Sequence, residues 1–413
     1  MDLTTGKLLW LDAYPNHKHY PSLEEDLDCD VAVVGAGEAG AICSWYLHHA
    51  GLNVVLVDKR PVGCGSSSAN TGLVQYANDT SLCQLIERHG EEKAVRFYRL
   101  CQSAIDELEQ ITFQLPETTE WRRRESLYFA STKHDVHALE REYEALVHYG
   151  FPVQYLSPVE IRAHFPFEQP AALWTSNDAE MNPFRLTHAI CSALESDGMK
   201  IYEDTNVVQV CESHHRPTLL TSQKRKIRAR FVVFAVGYES EEQHHFPGSA
   251  LQSTYAIATE PVSDLSDWHR RCLIWETARP YLYLRTTADN RIIVGGLDIP
   301  VADGPARDKK LLEKTDQLKQ RLNSLFPRYK DARVEYRWAA TFGNSLDGLP
   351  LIGRHPQHPC CYVALGYGGN GTVYYTIAAH IIRDSILNGT HPEDDLFAPT
   401  RMTWMPRWTR MFF

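Results

Sequence analysis

The stretch Cys29-Asp30-Val31-Ala32-Val33-Val34-Gly35-Ala36-Gly37-Glu38-Ala39-Gly40 carries the clearest chemistry in this chain. An apolar strand runs into a Gly-x-Gly-x-x-Gly turn and then into a helix. Such a turn handles phosphate. Gly35 permits the tight bend, Gly37 leaves the backbone open to a pyrophosphate, and Gly40 lets helix and strand pack closely. The helix N-terminus, with Glu38 and Ala39 in its first turn, presents N–H groups and partial positive charge to an anion. Ala39, Ile42, Cys43, Tyr46 and Leu47 share one apolar face, and Gly51 ends the helix. A second strand, Val54–Val57, leads to Asp58, placed to accept hydrogen bonds from an adenosine ribose. Strand, turn, helix, strand and acid together predict a dinucleotide site.

Further turns say which dinucleotide. Asp58-Lys59-Arg60 leads into a small-residue loop that runs from Gly65, Ser66 and Ser67 to Asn70, Thr71 and Gly72. The strand ending at Phe234 enters a turn at Ala235-Val236-Gly237. A glycine-rich turn, Gly366-Tyr367-Gly368-Gly369-Asn370-Gly371-Thr372, opens a helix that runs to about Leu387 and is capped by Asn388-Gly389. A nicotinamide dehydrogenase has no use for so many glycine turns spread over the chain. A flavin dinucleotide held lengthwise by several backbone loops does.

The elements that must position these turns alternate in α/β fashion. Residues 1–27 read as an extended lead-in without a helix. Helices are predicted over Ser81–Gln110, His134–Tyr149, Pro183–Glu195 and Asp308–Phe326. Strands are predicted over Trp121–Ala130, Val207–Glu212 and Lys226–Phe234, and as a pair over Tyr281–Arg285 and Arg291–Gly296. The run Arg122-Arg123-Arg124 is either a solvated edge or an anion site. The aromatic, basic tail Arg401–Phe413 either docks on the body, lies loose or touches a membrane surface.

Composition narrows the class. With 413 residues, 43% of them hydrophobic, the chain can bury a large core, and its net charge of −10 argues against nucleic acid as a partner. Ten cysteines show no C-x-x-C and no metal-ligand spacing, which predicts reduced thiols, no metal site and a cytoplasmic protein. No apolar run is long enough to span a bilayer, and the N-terminus lacks a signal-peptide core.

Three segments give the pattern a family. Asp28-Cys29-Asp30 feeds the first strand, Ala256-Ile257-Ala258-Thr259-Glu260-Pro261 lies mid-chain, and Asp347-Gly348-Leu349-Pro350-Leu351-Ile352-Gly353 precedes the last turn. Over roughly residues 10–395 the chain resembles the FAD-dependent amine and amino-acid oxidoreductases that include D-amino-acid oxidase, glycine oxidase and sarcosine oxidase. It looks most like the γ-glutamylputrescine oxidase-like branch. The resemblance implies a Rossmann-like FAD-binding domain (28–113, 178–240 and 338–390) interleaved with a mixed-sheet substrate domain (114–177 and 241–337), and a tail over 391–413. It implies that the flavin takes a hydride equivalent from a C–H next to nitrogen, with oxygen, a quinone or a partner protein as acceptor. Residues Gly368–Thr372 would stabilise negative charge on the reduced flavin. Asn70 and Thr71 either flank the cofactor or form a plain loop, and Val208 either offers backbone to the adenine or is a core residue.

Departures from the family pattern bear on the substrate. Phe342 stands where glycine oxidase-like members carry a carboxylate-clamping arginine, and Gly72-Leu73-Val74-Gln75 has no arginine where sarcosine oxidase-like members carry one. An amine, a substituted polyamine or a secondary amine therefore fits better than a simple α-amino acid. Arg285, sharing a strand face with Tyr281 and Tyr283, is either a substitute clamp or a packed salt-bridge residue. Trp338, Phe342 and Tyr255 either wall the pocket for a cationic amine or pack the core. Arg291–Gly296 has no lysine where sarcosine oxidase-like members use one towards oxygen. Other readings are a flavoprotein of this fold acting on a hydroxy acid, or an electron-transfer flavoprotein subunit. Relatives with covalent flavin carry a cysteine where this chain has Ala340. Acid precipitation should therefore leave the flavin in the supernatant; yellow colour retained in the pellet would show a covalent link.

Overall fold

The computed structural model describes residues 2–213, 216–240 and 249–401. The fold is α/β, built on two sheets. The smaller holds the dinucleotide strand, Leu27–Val34, at its centre. On one side it pairs in parallel with Val54–Val57, which pairs in parallel with Lys200–Tyr202. On the other it pairs in parallel with Lys226–Phe234, followed by His358–Leu365 and then by the antiparallel Leu351–His355. A hairpin, Val207–Ser213 and Arg216–Thr221, hangs on Lys226–Phe234. Val31, Val33, Val54, Leu56 and Val233 are fully enclosed, as expected of parallel strands covered on both faces.

Helices Glu38–His49 and Gly371–Asn388 lie together over this sheet and bury an apolar face of Ile42, Leu47, Ile377, Ile381 and Ile382. Helix Glu91–Gln114 adds Phe97, Ile105 and Leu108 to the same core. The larger, ten-stranded sheet is mostly antiparallel and carries Ser249–Thr259, Leu282–Thr286, Ile292–Ile299 and Val334–Ser345. One of its faces packs on helix Leu311–Leu325 through Leu318 and Leu322, with Tyr255 and Ile257 opposite.

The structure corrects four expectations. The lead-in is ordered: Thr4–Lys7 forms an edge strand against Val334–Ser345, and Leu9–Ala13 is a short helix that buries Leu9 and Trp10. Burial of two large apolar side chains stabilises a helix too short to persist alone. The helix over Ser81–Gln110 is two, Leu82–His89 and Glu91–Gln114, because Gly90 takes φ 85° between them. Asp308–Phe326 likewise divides into Gly304–Lys309 and Leu311–Leu325. The arginine run ion-pairs: Arg123 with Asp106 and Glu109, and Arg124 with Glu180. Among the described residues no helix is long and apolar enough to cross a membrane. Residues 402–413 of the aromatic tail lie outside the described residues.

Gly40 sets the closeness of the dinucleotide turn. A Cβ there would lie 1.7 Å from the Gly35 carbonyl oxygen and 3.3 Å from Leu56 Cδ1. Gly40→Ala must push helix from strand, at a cost of about 1–3 kcal/mol. The variant should melt at a lower temperature and purify with less flavin; wild-type values for both would show that the turn tolerates the shift.

Candidate cofactor and active site

Two cavities with a common wall lie beyond the C-terminal ends of the parallel strands. Glu38, Ser66, Ser67 and Tyr375 belong to the walls of both. The first, of about 1110 Å³, is walled by Gly35, Gly37 and Ala39 of the dinucleotide turn and by Gly65 of the small-residue loop. Asp58 closes one side. Its Oδ2 accepts from the Ala36 N–H at 2.6 Å and its Oδ1 from the Arg60 N–H at 2.8 Å. Each carboxylate oxygen keeps accepting capacity for a second donor. Lys59 and Arg60 also line this cavity and share Glu239, at 3.0 and 2.7 Å. Val208 belongs to the wall on its edge strand, with Ala235 and Gly237 from the turn after Phe234.

Glycine keeps this cradle open. A Cβ on Gly37 would sit 2.8 Å from Ser67 Oγ. That hydroxyl accepts from the Glu38 N–H at 2.9 Å and so ties the small-residue loop to the helix N-terminus.

The second cavity, of about 1040 Å³, lies between the parallel sheet and the larger sheet. Asn70 and Thr71 come from the small-residue loop, and Gly368, Gly369, Asn370 and Gly371 from the turn before the last helix. Asn370 stands at the N-cap without capping. Its amide donates instead to the Ala77 carbonyl at 2.7 Å and to Asn78 Oδ1 at 3.2 Å. The Gly369 N–H donates to Asp79 Oδ2 at 2.9 Å, and burial pushes the Asp79 carboxyl above its ordinary range. From the larger sheet come Thr254, Trp275, Tyr281, Tyr283, Ala340, Thr341 and Phe342. Trp275 stacks on Tyr128 with centroids 3.8 Å apart.

Two joined cavities, a glycine turn, a helix N-terminus at each and an acid on the ribose side suit a long dinucleotide carrying a flat ring. Comparison with known proteins decides its kind. Residues 30–385 match the family model described as FAD dependent oxidoreductase, DAO. The chain belongs to the DAO family of FAD-dependent oxidoreductases. It is 27% identical to γ-glutamylputrescine oxidoreductase of Escherichia coli, covering 92% of this chain and 88% of that protein. It is 25% identical to glycine oxidase of Geobacillus kaustophilus, over 86% and 92%. Among solved structures it shares its fold with L-proline dehydrogenase from P. horikoshii (TM-score 0.77, 20% identity, 92% of this chain and 99% of that one). It also shares it with the G. kaustophilus glycine oxidase structure (TM-score 0.74, 20% identity, 91% and 99%).

As a DAO-family protein the chain is an FAD-dependent amine or amino-acid oxidase or dehydrogenase. FAD fits the joined cavities: Asp58 and the Gly35–Gly40 turn would hold its adenosine and pyrophosphate, and the Gly368–Gly371 turn its ring end.

Not every residue singled out in the sequence reaches a cavity. Arg285 is buried away from the second one. Its Nε donates to the Thr71 carbonyl at 2.6 Å and its Nη2 to the Met181 carbonyl at 2.7 Å, and Nη1 lies 3.5 Å from Glu180. Tyr281 and Tyr283 share its strand face and do line the cavity, but at Arg285 the small-residue loop has closed over that face. Tyr255 points to the opposite face, where its hydroxyl donates to the Arg307 carbonyl at 3.1 Å; its neighbour Thr254 faces the cavity. Trp338 is a core residue whose Nε1 donates to the Ala69 carbonyl at 3.0 Å.

Gly72, Gly366 and Thr372 act from behind the walls. A Cβ on Gly72 would meet the Met181 carbonyl oxygen at 2.2 Å. One on Gly366 would meet the Tyr375 ring at 2.5 Å, so this glycine seats a ring common to both cavities. Thr372 donates to Glu38 Oε1 at 2.6 Å. Asp79, Trp275 and Tyr375 escaped sequence reading. Tyr375 was legible in principle, one helical turn after Gly371. Nothing local marks Asp79 or Trp275: Asp79 lies in the loop after strand Leu73–Val74, tied to the Gly369 N–H, and Trp275 comes from the distant strand Leu273–Glu276.

The geometry makes Arg285 a positioning residue. Arg285→Met leaves the Thr71 and Met181 carbonyls without their donor and Glu180 with less compensation. Removing one partner of a buried pair costs about 3–5 kcal/mol. Thermal unfolding should shift accordingly, while the fraction that stays folded keeps the wild-type KM. A raised KM with unchanged stability would return Arg285 to substrate binding.

Proposed function

We propose that this enzyme oxidises the C–N bond of a cationic amine that lacks an arginine-clamped α-carboxylate. The observation that carries this reading is Asp79. It is an acid in a wall otherwise formed by Trp275, Tyr281, Tyr283 and Phe342, and among the described lining residues there is no lysine or arginine.

A carboxylate with aromatic faces around it suits an ammonium group through ion pairing and cation–π attraction. It repels a carboxylate. Asp298, on the neighbouring strand beside Thr254, adds to the negative character. Burial, followed by the nearby Asp79 charge, pushes its carboxyl up to about 7. Two acids that resist ionising together are both relieved by a bound cation.

Arg279 does not supply the missing clamp. It stacks over Tyr281 at 5.2 Å, and its guanidinium donates to the backbone carbonyls of Glu276, Thr277, Ala278 and Asp79. When bound, FAD supplies the electron sink for the C–H next to nitrogen. The chain's part is to orient the amine. Tyr283 is seated for this: a Cβ on Gly295 would fall 2.3 Å from its phenol, so glycine alone leaves room for the ring. The similarity to γ-glutamylputrescine oxidoreductase supports an amine rather than an α-amino acid as substrate.

Anaerobic bleaching of the flavin tests the class. Amines should bleach it, and simple α-amino acids should do so poorly. Asp79→Asn should raise KM for the amine by about 10–100-fold, the worth of a charged hydrogen bond of about 1.5–3 kcal/mol, with flavin content unchanged. Efficient bleaching by α-amino acids with no effect of D79N would sink the reading.

A further inference from the structure

Glu38 occupies an uncommon place for an acid. It is the first residue of the dinucleotide helix, 2% exposed, and part of the wall that both cavities share. Only neutral groups hold its carboxyl: Oε1 accepts from the Thr372 hydroxyl at 2.6 Å and Oε2 from the Asn70 amide at 2.8 Å. Asn70 cannot turn over, because its Oδ1 accepts from the Gly72 N–H at 2.9 Å. Thr372 can reverse its hydroxyl, so a proton on Oε1 has a ready acceptor.

No described cation neutralises this carboxyl. The facing titratable groups are the phenols of Tyr238 and Tyr375, whose ionisation burial opposes. Asp58 closes the first cavity and Asp79 the second, while Lys59 and Arg60 are engaged by Glu239. With the cavities open, burial outweighs both hydrogen bonds and lifts the Glu38 carboxyl to about 7. FAD would bring a doubly charged pyrophosphate to this turn and seal the cavities beside the carboxyl. Both changes penalise an ionised Glu38.

We propose that Glu38 is a positioning residue that takes up one proton when FAD fills the joined cavities, so that pH sets cofactor affinity through this side chain. The proton comes from solvent and converts the carboxylate to a carboxylic acid; no electrons move. The neutral acid stays bonded to Asn70 and Thr372, and so keeps the small-residue loop joined to the N-terminus of the last helix.

The sign follows from linkage. Below the free-site value the proton is already present, and affinity does not depend on pH. Above it, each binding event must import a proton, and the dissociation constant rises by up to about tenfold per pH unit. The test is FAD released on dilution of the holoenzyme, read by flavin fluorescence from pH 6 to 8.5. Wild type should be flat near pH 6 and weaken approximately tenfold per unit towards pH 8.5. Glu38→Gln, neutral at every pH, should be flat throughout. Glu38→Ala gives the same comparison should the glutamine variant not fold. Flat behaviour in the wild type, or an equal slope in a Glu38 variant, would overturn the proposal. Neither outcome bears on which substrate the enzyme takes.

Discussion

Three consecutive carbonyls, those of Ala69, Asn70 and Thr71, hold this structure together at its working centre. A buried carbonyl left without a donor costs free energy comparable to a lost hydrogen bond. None of these three belongs to a long strand or helix that would supply one. Their donors come from far away: Trp338 Nε1 to Ala69, Trp10 Nε1 to Asn70 and Arg285 Nε to Thr71. Two of the three reside in the larger sheet and the third in the N-terminal helix. The small-residue loop is thus the joint through which the larger sheet, the N-terminal segment and the dinucleotide turn are set relative to one another. The cavity between the sheets takes its shape from that joint.

The same loop connects the two ends of the cofactor site. Ser67 accepts from the N–H of Glu38, and Asn70 donates to its carboxyl. Thr372, at the start of the last helix, completes the bridge. Two helix N-termini, distant in sequence, therefore meet over one carboxyl. Asp58 and Asp79 each accept backbone N–H groups, which favour a charged acid. Glu38 has none on its carboxyl, and burial pushes all three acids above their ordinary range.

The substrate side follows from how side chains alternate along strands. Thr254 and Tyr255 are adjacent, so one must face the cavity and the other the helix layer. The larger phenol goes to the helix layer, where the Arg307 carbonyl accepts its proton. Along Leu282–Thr286 the phase is right for Tyr281, Tyr283 and Arg285 alike. Arg285 nonetheless lies outside the cavity wall, its guanidinium held by the Thr71 and Met181 carbonyls. In this chain the Arg285 guanidinium is part of the scaffold, and an acid, Asp79, stands in the cavity wall.

Much of the cofactor half was legible in the sequence. Gly35, Gly37 and Gly40 answer to local geometry, and the strand before them and the helix after them are read from runs of a few residues. The turns at Ala235–Gly237 and Gly366–Thr372 are equally local, so their residues line cavities or stand directly behind them. The phase of the larger sheet, the break at Gly90 and the folding-in of residues 2–27 were not legible. Periodicity shows which residues share a face but not which face meets the core. Only tertiary packing chose Thr254 over Tyr255, gave Arg285 to backbone carbonyls, and carried Asp79 and Trp275 to one wall. Each of those outcomes depends on a partner dozens to hundreds of residues away, a pairing that no local pattern encodes.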